Sequence, residues 1–499
     1  MGTTKWVDPV NAALERLLTV RPDNRGKDLF LPEYRQKVRH ILDTLAMDDP
    51  RRLEEAAAFA FWGRGYLLIG EEMHYLDEKE MALWKGLFDQ LVAPLKEYAG
   101  ENPDESVSFY IRSVLLYRES LTEESFREVK RLMQTAAERG LLSAQKDLAF
   151  LCRRGNAEEG RIRWLTAAAE QGDPESAMDL ATHYRFAPTE DKEKHIVWLR
   201  RAAELGHPGA MWSMADLGLS EDDDGVSPEE GFRWAKEAEA AGADDIASVL
   251  AEYYRQGRGT GPDEALAAQY RKKSAEEGDP HSMFLVAVDY LTGTKYFPKN
   301  EKEAFRLAKL AEAEGLPEAA LLLAKLYRHG IGVRANPRQA FQVLKRNVPS
   351  VYPELEYQMA FYYEEGWGTK KDLRQAFRLF RELAQKGFLK AKFHLAYALE
   401  HGRGTKPDMA QAVQWYREAA EEGNPASQNA LGILLLRGIG VGRNPEEGVG
   451  WLEKAAAQGN EDAIRSLATI YAEGREVPAN PARARFFREM AGQQDRGDW

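Results

Sequence analysis

Cysteine is almost missing from this chain. Cys152 is the single one in 499 residues, so no disulfide can close within the chain, and a reducing compartment is the expectation. Histidine is also sparse. The nine copies, at 40, 74, 183, 195, 207, 281, 329, 394 and 401, form no HExxH or other paired-ligand spacing. His394 and His401 share a helix face two turns apart, but no cysteine joins them, so no metal and no cofactor is expected. Positive charge is in deficit, with 68 Lys and Arg against 80 Asp and Glu, a balance of -12. A nucleic-acid-binding chain should be basic or carry a basic stripe, so no nucleic-acid partner is expected. A soluble protein with basic or mixed partners fits that charge better.

Long hydrophobic runs are missing too, and no membrane span is expected. The opening MGTTKWVDPVNAALERLL has neither a long apolar core nor a cleavage signal. Gly2 suggests acylation, but Trp6 stands where that motif wants Ser or Thr. The expectation is a cytoplasmic protein, or a periplasmic or secreted one if a leader has been removed.

Catalytic motifs are equally scarce. There is no GxSxG elbow. Gly65 to Gly70 has phosphate-loop spacing, but Glu71 replaces the lysine and would repel phosphate. Asp222-Asp223-Asp224-Gly225 resembles the start of a calcium loop, yet Gly231 stands where an acid is needed and Pro228 intrudes. Cys152 falls at a core position of its helix pattern and reads as a buried, inert thiol. The one enzymatic alternative is a hydrolase site using His74 with Glu71 or Glu72, in a spacing that matches no motif.

What the chain does have is a period. Gly140, Gly172, Gly206, Gly242, Gly278, Gly315, Gly387, Gly423 and Gly459 recur 32 to 37 residues apart, apart from one gap of 72 that spans two periods. Val351 stands where the missing glycine should be. Such a period means stacked helical hairpins. One unit shows the local logic. Leu323, Ala324 and Tyr327 form a helix stripe, Gly330 follows as a C-cap, and Asn336-Pro337 marks the next helix start. Eight residues before each recurring glycine stands a bulky residue, among them Trp164, Trp198, Trp234, Leu307, Trp415 and Trp451, and small pairs such as Ala419-Ala420 follow it. Those bulky residues are expected to pack in the core. Val351 and Leu355, flanked by Pro349 and Pro353, predict a bend or offset before the unit at 352–387.

In register, these units resemble the SEL-like repeat (SLR, suppressor/enhancer-of-lin-like), a relative of the tetratricopeptide repeat. The best matches are 388–423 and 424–459, with the endings WYREAAEEGN and WLEKAAAQGN. The resemblance covers about 105–495 and weakens over 141–206, where loops are shorter. It implies an all-α, right-handed α-solenoid of about eleven helix-turn-helix repeats, and a non-enzymatic adaptor or scaffold role, often bacterial. Some secreted bacterial members staple each hairpin with a cysteine pair, and this chain resembles the unstapled kind. Residues 1–104 do not keep the period, but they read as helices over Asn11–Leu18, Glu33–Leu45, Arg52–Phe61 and Glu78–Tyr98. An N-terminal helical cap over the open end of the array is the expectation, with a separate helical module as the alternative. The repeats then fill 105–495, and a short polar tail covers 496–499.

First helices of such hairpins line a concave face. Positions six and two before the tyrosine position should face that concavity. They read Ser248/Glu252, Phe284/Val288, Leu321/Lys325, Tyr357/Phe361, Phe393/Tyr397, Asn429/Ile433 and Arg465/Thr469. Phe284, Leu321, Tyr357, Phe361, Phe393 and Tyr397 are therefore the candidate partner-binding residues, an apolar track rimmed by Arg328, Glu364, Lys390 and Glu400. A protein or peptide partner is expected there, with a homo-oligomer joined through the same track as the alternative.

Overall fold

The computed structural model describes residues 54, 56–58, 94–119, 122–154, 157–186, 191–220 and 225–494. Helices α1 to α22 run between Ser106 and Gln494, and no strand occurs among the described residues. The chain is an all-α solenoid in two compact units, meeting in sequence at Pro262 and Asp263.

The first unit holds α1 (Ser106–Glu119), α2 (Glu123–Glu138), α3 (Leu142–Arg154), α4 (Glu158–Glu170), α5 (Pro174–Phe186), α6 (Lys192–Glu204), α7 (Pro208–Leu217), α8 (Pro228–Ala240) and α9 (Ile246–Gln256). Within it, helices pair as successive antiparallel hairpins, and each hairpin leans on the next. Residues 54 and 56–58, and 94–101, are helical. Glu54 Oε1 accepts a hydrogen bond from the Ser143 N–H at 3.0 Å, which satisfies one of the orphan donors at the start of α3. Beyond these stretches, the helices expected in the first hundred residues lie outside the described residues. So do His74 with Glu71 and Glu72, the acidic Asp222-Asp223-Asp224 stretch and the tail 496–499.

The second unit holds α10 (Glu264–Glu277), α11 (Pro280–Thr292), α12 (Glu301–Ala313), α13 (Pro317–His329), α14 (Pro337–Arg346), α15 (Pro353–Glu365), α16 (Leu373–Gln385), α17 (Leu389–His401), α18 (Met409–Glu421), α19 (Pro425–Arg437), α20 (Pro445–Ala457), α21 (Glu461–Glu473) and α22 (Pro481–Gln494). The local signals read from sequence are all in place. Asn336 caps α14 by accepting from the Gln339 N–H, and Pro337 sits in its first turn. Gly330 ends α13 at φ +73°, where its N–H bonds the Leu326 carbonyl. The second loop glycine has a different reason to be glycine. A Cβ on Gly368 would lie 1.9 Å from the Pro337 carbonyl oxygen, because this loop presses on the start of the preceding second helix.

The bulky residues of the second helices divide into two groups. Trp164, Trp234 and Leu307 are buried. Trp198, Trp415 and Trp451 are only half-buried, and Trp451 Nε1 reaches Glu447 at 3.3 Å. Trp415 and Trp451 nonetheless pack against the core of the second unit, as expected. Cys152 is half-buried, and burial pushes its thiol up from its ordinary value, which disfavours the reactive thiolate.

The irregular junction at Val351 is a real departure. α14 ends at Arg346 after ten residues, against thirteen in α12, α16, α18 and α20. Pro349 lies where a regular second helix would have its thirteenth residue, and the helix stops ahead of it with its end held by a buried acid. Glu312 of α12 takes Arg346 Nε at 2.7 Å and Asn347 Nδ2 at 2.7 Å, and Asn347 Nδ2 also bonds the Val343 carbonyl. Those side chains bind the end of α14 where another turn of helix would start. Residues 347–352 then connect to α15, where the regular junctions need three residues, and Val351 is fully exposed on that connector. α14 and α15 consequently meet less extensively than other consecutive helices of this unit.

Candidate functional site

A cleft lies beside the loosened junction. It has a volume of about 540 Å³ and is walled by three successive first helices of the second unit. Phe284 and Val288 come from α11, Leu321, Leu322 and Lys325 from α13, and Glu354 and Gln358 from α15. Leu344, Ala324 and Tyr362 are buried at its base, and Tyr352 closes the connector side. Pockets of this size and apolar character are the usual seats of small ligands or inserted side chains.

Its polar groups sit at opposite ends. Glu318 and Glu354 lie in the first turns of α13 and α15, and Glu354 is paired with Lys390 Nζ at 3.2 Å. Lys325, Arg328 and His329 lie on the later turns of α13. The Arg328 guanidinium stacks 3.8 Å from the Trp367 ring centre, and its Nε donates to His329 Nε2 at 3.1 Å. Burial pushes the Tyr362 hydroxyl up from its ordinary value, and the neighbouring Arg328 charge opposes that rise.

The six track residues expected from sequence separate into two sets. Phe284 and Leu321 line the cleft, together with Val288 and Lys325, which belong to the same predicted rows. Tyr357, Phe361, Phe393 and Tyr397 do not line the cleft and pack among neighbouring aromatic rings. Tyr357 is 9% exposed, and its ring meets Phe361 at 5.0 Å, Phe388 at 5.3 Å and His394 at 5.6 Å. Phe361, Phe393 and Tyr397 are half-buried against the same core. The element that closes them together is His394. It stacks on Phe380 at 5.1 Å and meets Phe361 edge-on at 4.9 Å and Phe393 at 5.1 Å. Burial, with a smaller contribution from the Arg403 charge, lowers its pKa to about 4, so it is a neutral filler at pH 7. The expected rim is likewise divided. Arg328 is at the cleft, whereas Glu364 is buried and paired with Arg403 at 3.3 Å, and Glu400 accepts from Tyr416 at 2.8 Å.

Sequence reading missed Leu322, Gln358, Tyr352 and Tyr362. The first two stand one position after the predicted concave residues Leu321 and Tyr357. The available signals were the absent glycine at Val351 and the flanking Pro349 and Pro353, which marked the irregular junction between α14 and α15.

An array of helical hairpins with a cleft among its first helices belongs to the helical-repeat class. Nine stretches of the chain match the Sel1 repeat: 162–173, 174–207, 248–279, 280–316, 317–342, 353–388, 389–424, 425–460 and 462–495. The chain belongs to the Sel1-repeat family, whose members are generally protein-interaction scaffolds. It is 29% identical over 224 residues to the uncharacterised protein NMB1327 of Neisseria meningitidis, covering 45% of this chain and 47% of that protein. It is 30% identical over 188 residues to the chitin synthase regulator SKT5 of Saccharomyces cerevisiae, covering 35% of this chain and 27% of that protein. The matched region thus spans about half of one relative and about a quarter of the other. Among solved structures, c5321, a protective antigen of uropathogenic Escherichia coli with an SLR fold, aligns with a TM-score of 0.62 at 24% identity. That alignment covers 81% of this chain and 90% of c5321.

Proposed function

We propose that this chain is a non-enzymatic adaptor that holds a segment of a partner protein in the cleft over α13. The observation that carries this reading is the cleft itself, a concavity of about 540 Å³ with Phe284, Leu321 and Leu322 facing it. These side chains are half-buried, so a partner could remove further apolar surface from water at about 25 cal/mol per Å². The scaffold role general to the family supports the reading, and the acidic balance of the chain favours a protein over a nucleic acid as partner. The aromatic set around His394 contributes by stiffening α15, α16 and α17 beside the cleft.

The test is a pull-down from native lysate with the intact chain and with a Phe284→Ser/Leu321→Ser variant, each first checked for retained helicity. A protein held by the first and lost from the second supports the reading. Equal retention by both would move the interaction to another surface, and no retention by either would leave the adaptor role without a partner.

A further inference from the structure

Five arginines that link neighbouring helices are matched to carboxylates: Arg200 to Glu230, Arg271 to Asp289, Arg346 to Glu312, Arg403 to Glu364 and Arg417 to Glu447. Arg258 instead donates to the Leu219 and Ser220 carbonyls. Arg328 also links neighbouring repeats, but through the face of Trp367 and the Tyr362 hydroxyl, while its Nε donates to the adjacent His329. Among the described residues no carboxylate forms an ion pair with Arg328 or with Lys325. A guanidinium carries five N–H donors, so stacking on the indole and bonding His329 and Tyr362 leaves donors for a further acceptor. Lys325 is exposed on the turn before it. Two cations therefore stand at one end of an apolar concavity, where each could gain a charge-assisted hydrogen bond.

The other end is acidic. Glu318 has no ion-pair partner among the described residues, and it lies seven residues before Lys325 on α13, about 10 Å along the axis. Like charges placed against it would be repelled, so the cleft distinguishes the two directions in which a segment could lie.

We propose that the cleft selects a protein segment carrying apolar side chains followed, on the α13 C-terminal side, by an aspartate or glutamate side chain that engages Lys325 and Arg328. This rests on the adaptor reading of the same cleft and adds the chemistry and polarity of its occupant. The apolar side chains lie against Phe284, Leu321 and Leu322, and the acid supplies the kind of carboxylate partner that Arg200, Arg271, Arg346, Arg403 and Arg417 have within the array.

The test uses the full chain and a random peptide library displayed with both peptide ends fused, so that only side-chain acids are available. Clones are kept if they bind the native chain and lose binding to Leu321→Ser. The kept peptides should carry an acid beside an apolar pair, and Lys325→Glu should weaken them about tenfold. Replacing the acid with lysine should reverse that preference, so that the altered peptide binds Lys325→Glu better than the native chain. Lys325 is exposed, so this variant stays informative even if Arg328→Gln, which disturbs the Trp367 stack, fails to fold. Leu321-dependent peptides without an acid preference would overturn the inference and leave the adaptor reading standing. If no peptide depends on Leu321, both fall.

Discussion

Glu447 Oε1 lies 2.6 Å from Arg417 Nη1 and also accepts from Trp451 Nε1 at 3.3 Å, so one carboxylate joins two successive second helices and orients an indole. The same triad stands in the first unit, where Glu230 takes Arg200 at 2.7 Å and Trp234 Nε1 at 3.4 Å. Each arginine lies thirty residues before its acid and each tryptophan four after it. The triads are part of the repeat's own stitching.

Arg417 holds Glu447 below its ordinary pKa, against the opposing effect of partial burial. A depressed carboxylate contributes stability above its unfolded value, and that contribution is lost as pH falls through the folded value. The pair is about one-third exposed on both sides, so solvent screening limits its worth. Glu447→Gln should therefore lower stability by less than about 1 kcal/mol near neutrality and leave acid denaturation almost unchanged, as followed by urea melts at both pH values.

Lys392, itself buried, is held by Glu422 across the α17–α18 hairpin. One repeat earlier the same two positions are Glu356 and Lys386, with the charges reversed. Reversing Lys392 alone would set a glutamate against Glu418 and Glu422 and should cost about 1–3 kcal/mol. The double swap Lys392→Glu/Glu422→Lys should recover most of that loss, which a double-mutant cycle by thermal or urea melting would read.

His394 gives a pH dependence of opposite chemical origin. Its folded pKa, about 4, lies below the ordinary value of 6.5, because the buried imidazole resists protonation. The unfolded chain binds that proton first, so stability is full above pH 6.5 and declines toward pH 4, by about 1.4 kcal/mol per pH unit within that window. His394→Phe should flatten this component of the stability–pH curve relative to the native chain.

Glycine substitutions should sort by cause. Gly423 has φ +96° and nothing within 4 Å of an added Cβ, so Gly423→Ala should cost only the backbone strain, about 1–2 kcal/mol. Gly368→Ala adds a collision with the Pro337 carbonyl to the same strain and should cost clearly more, by comparison of melting temperatures.

Tyr357→Ala removes a buried ring at the centre of the aromatic set and should cost about 3–5 kcal/mol. Leu321→Ser acts at a half-buried cleft position and should cost less than Tyr357→Ala. Chemical melts of the two variants would separate scaffold from recognition surface within one predicted row.

Much of the architecture was legible because the hairpin's punctuation is local. Gly330, Asn336 and Pro337 each announce a helix end or start through their own backbone chemistry. The concave rows were legible from helical periodicity, and they brought Phe284, Val288, Leu321 and Lys325 to the cleft. The openness of each row was not legible. The same row position borders the cleft at the half-buried Leu321 and is packed by a neighbour's imidazole at the buried Tyr357, because His394 reaches in from the next first helix. The irregular junction after α14 was legible from Pro349, Val351 and Pro353, but the capture of Arg346 and Asn347 by Glu312, in the preceding hairpin, was not.

The early stop of α14 gives the array an address. In a perfectly periodic solenoid, a bound segment could slide by one repeat and meet nearly the same surface, so many registers would compete. α14 stops a turn short, with Glu312 holding the residues at its end, and the junction that follows it is the most loosely packed between consecutive helices of its unit. A guest that needs the cleft beside that junction has one place to sit. The irregularity that interrupts the repeat is also what lets a repetitive scaffold be read at a single position.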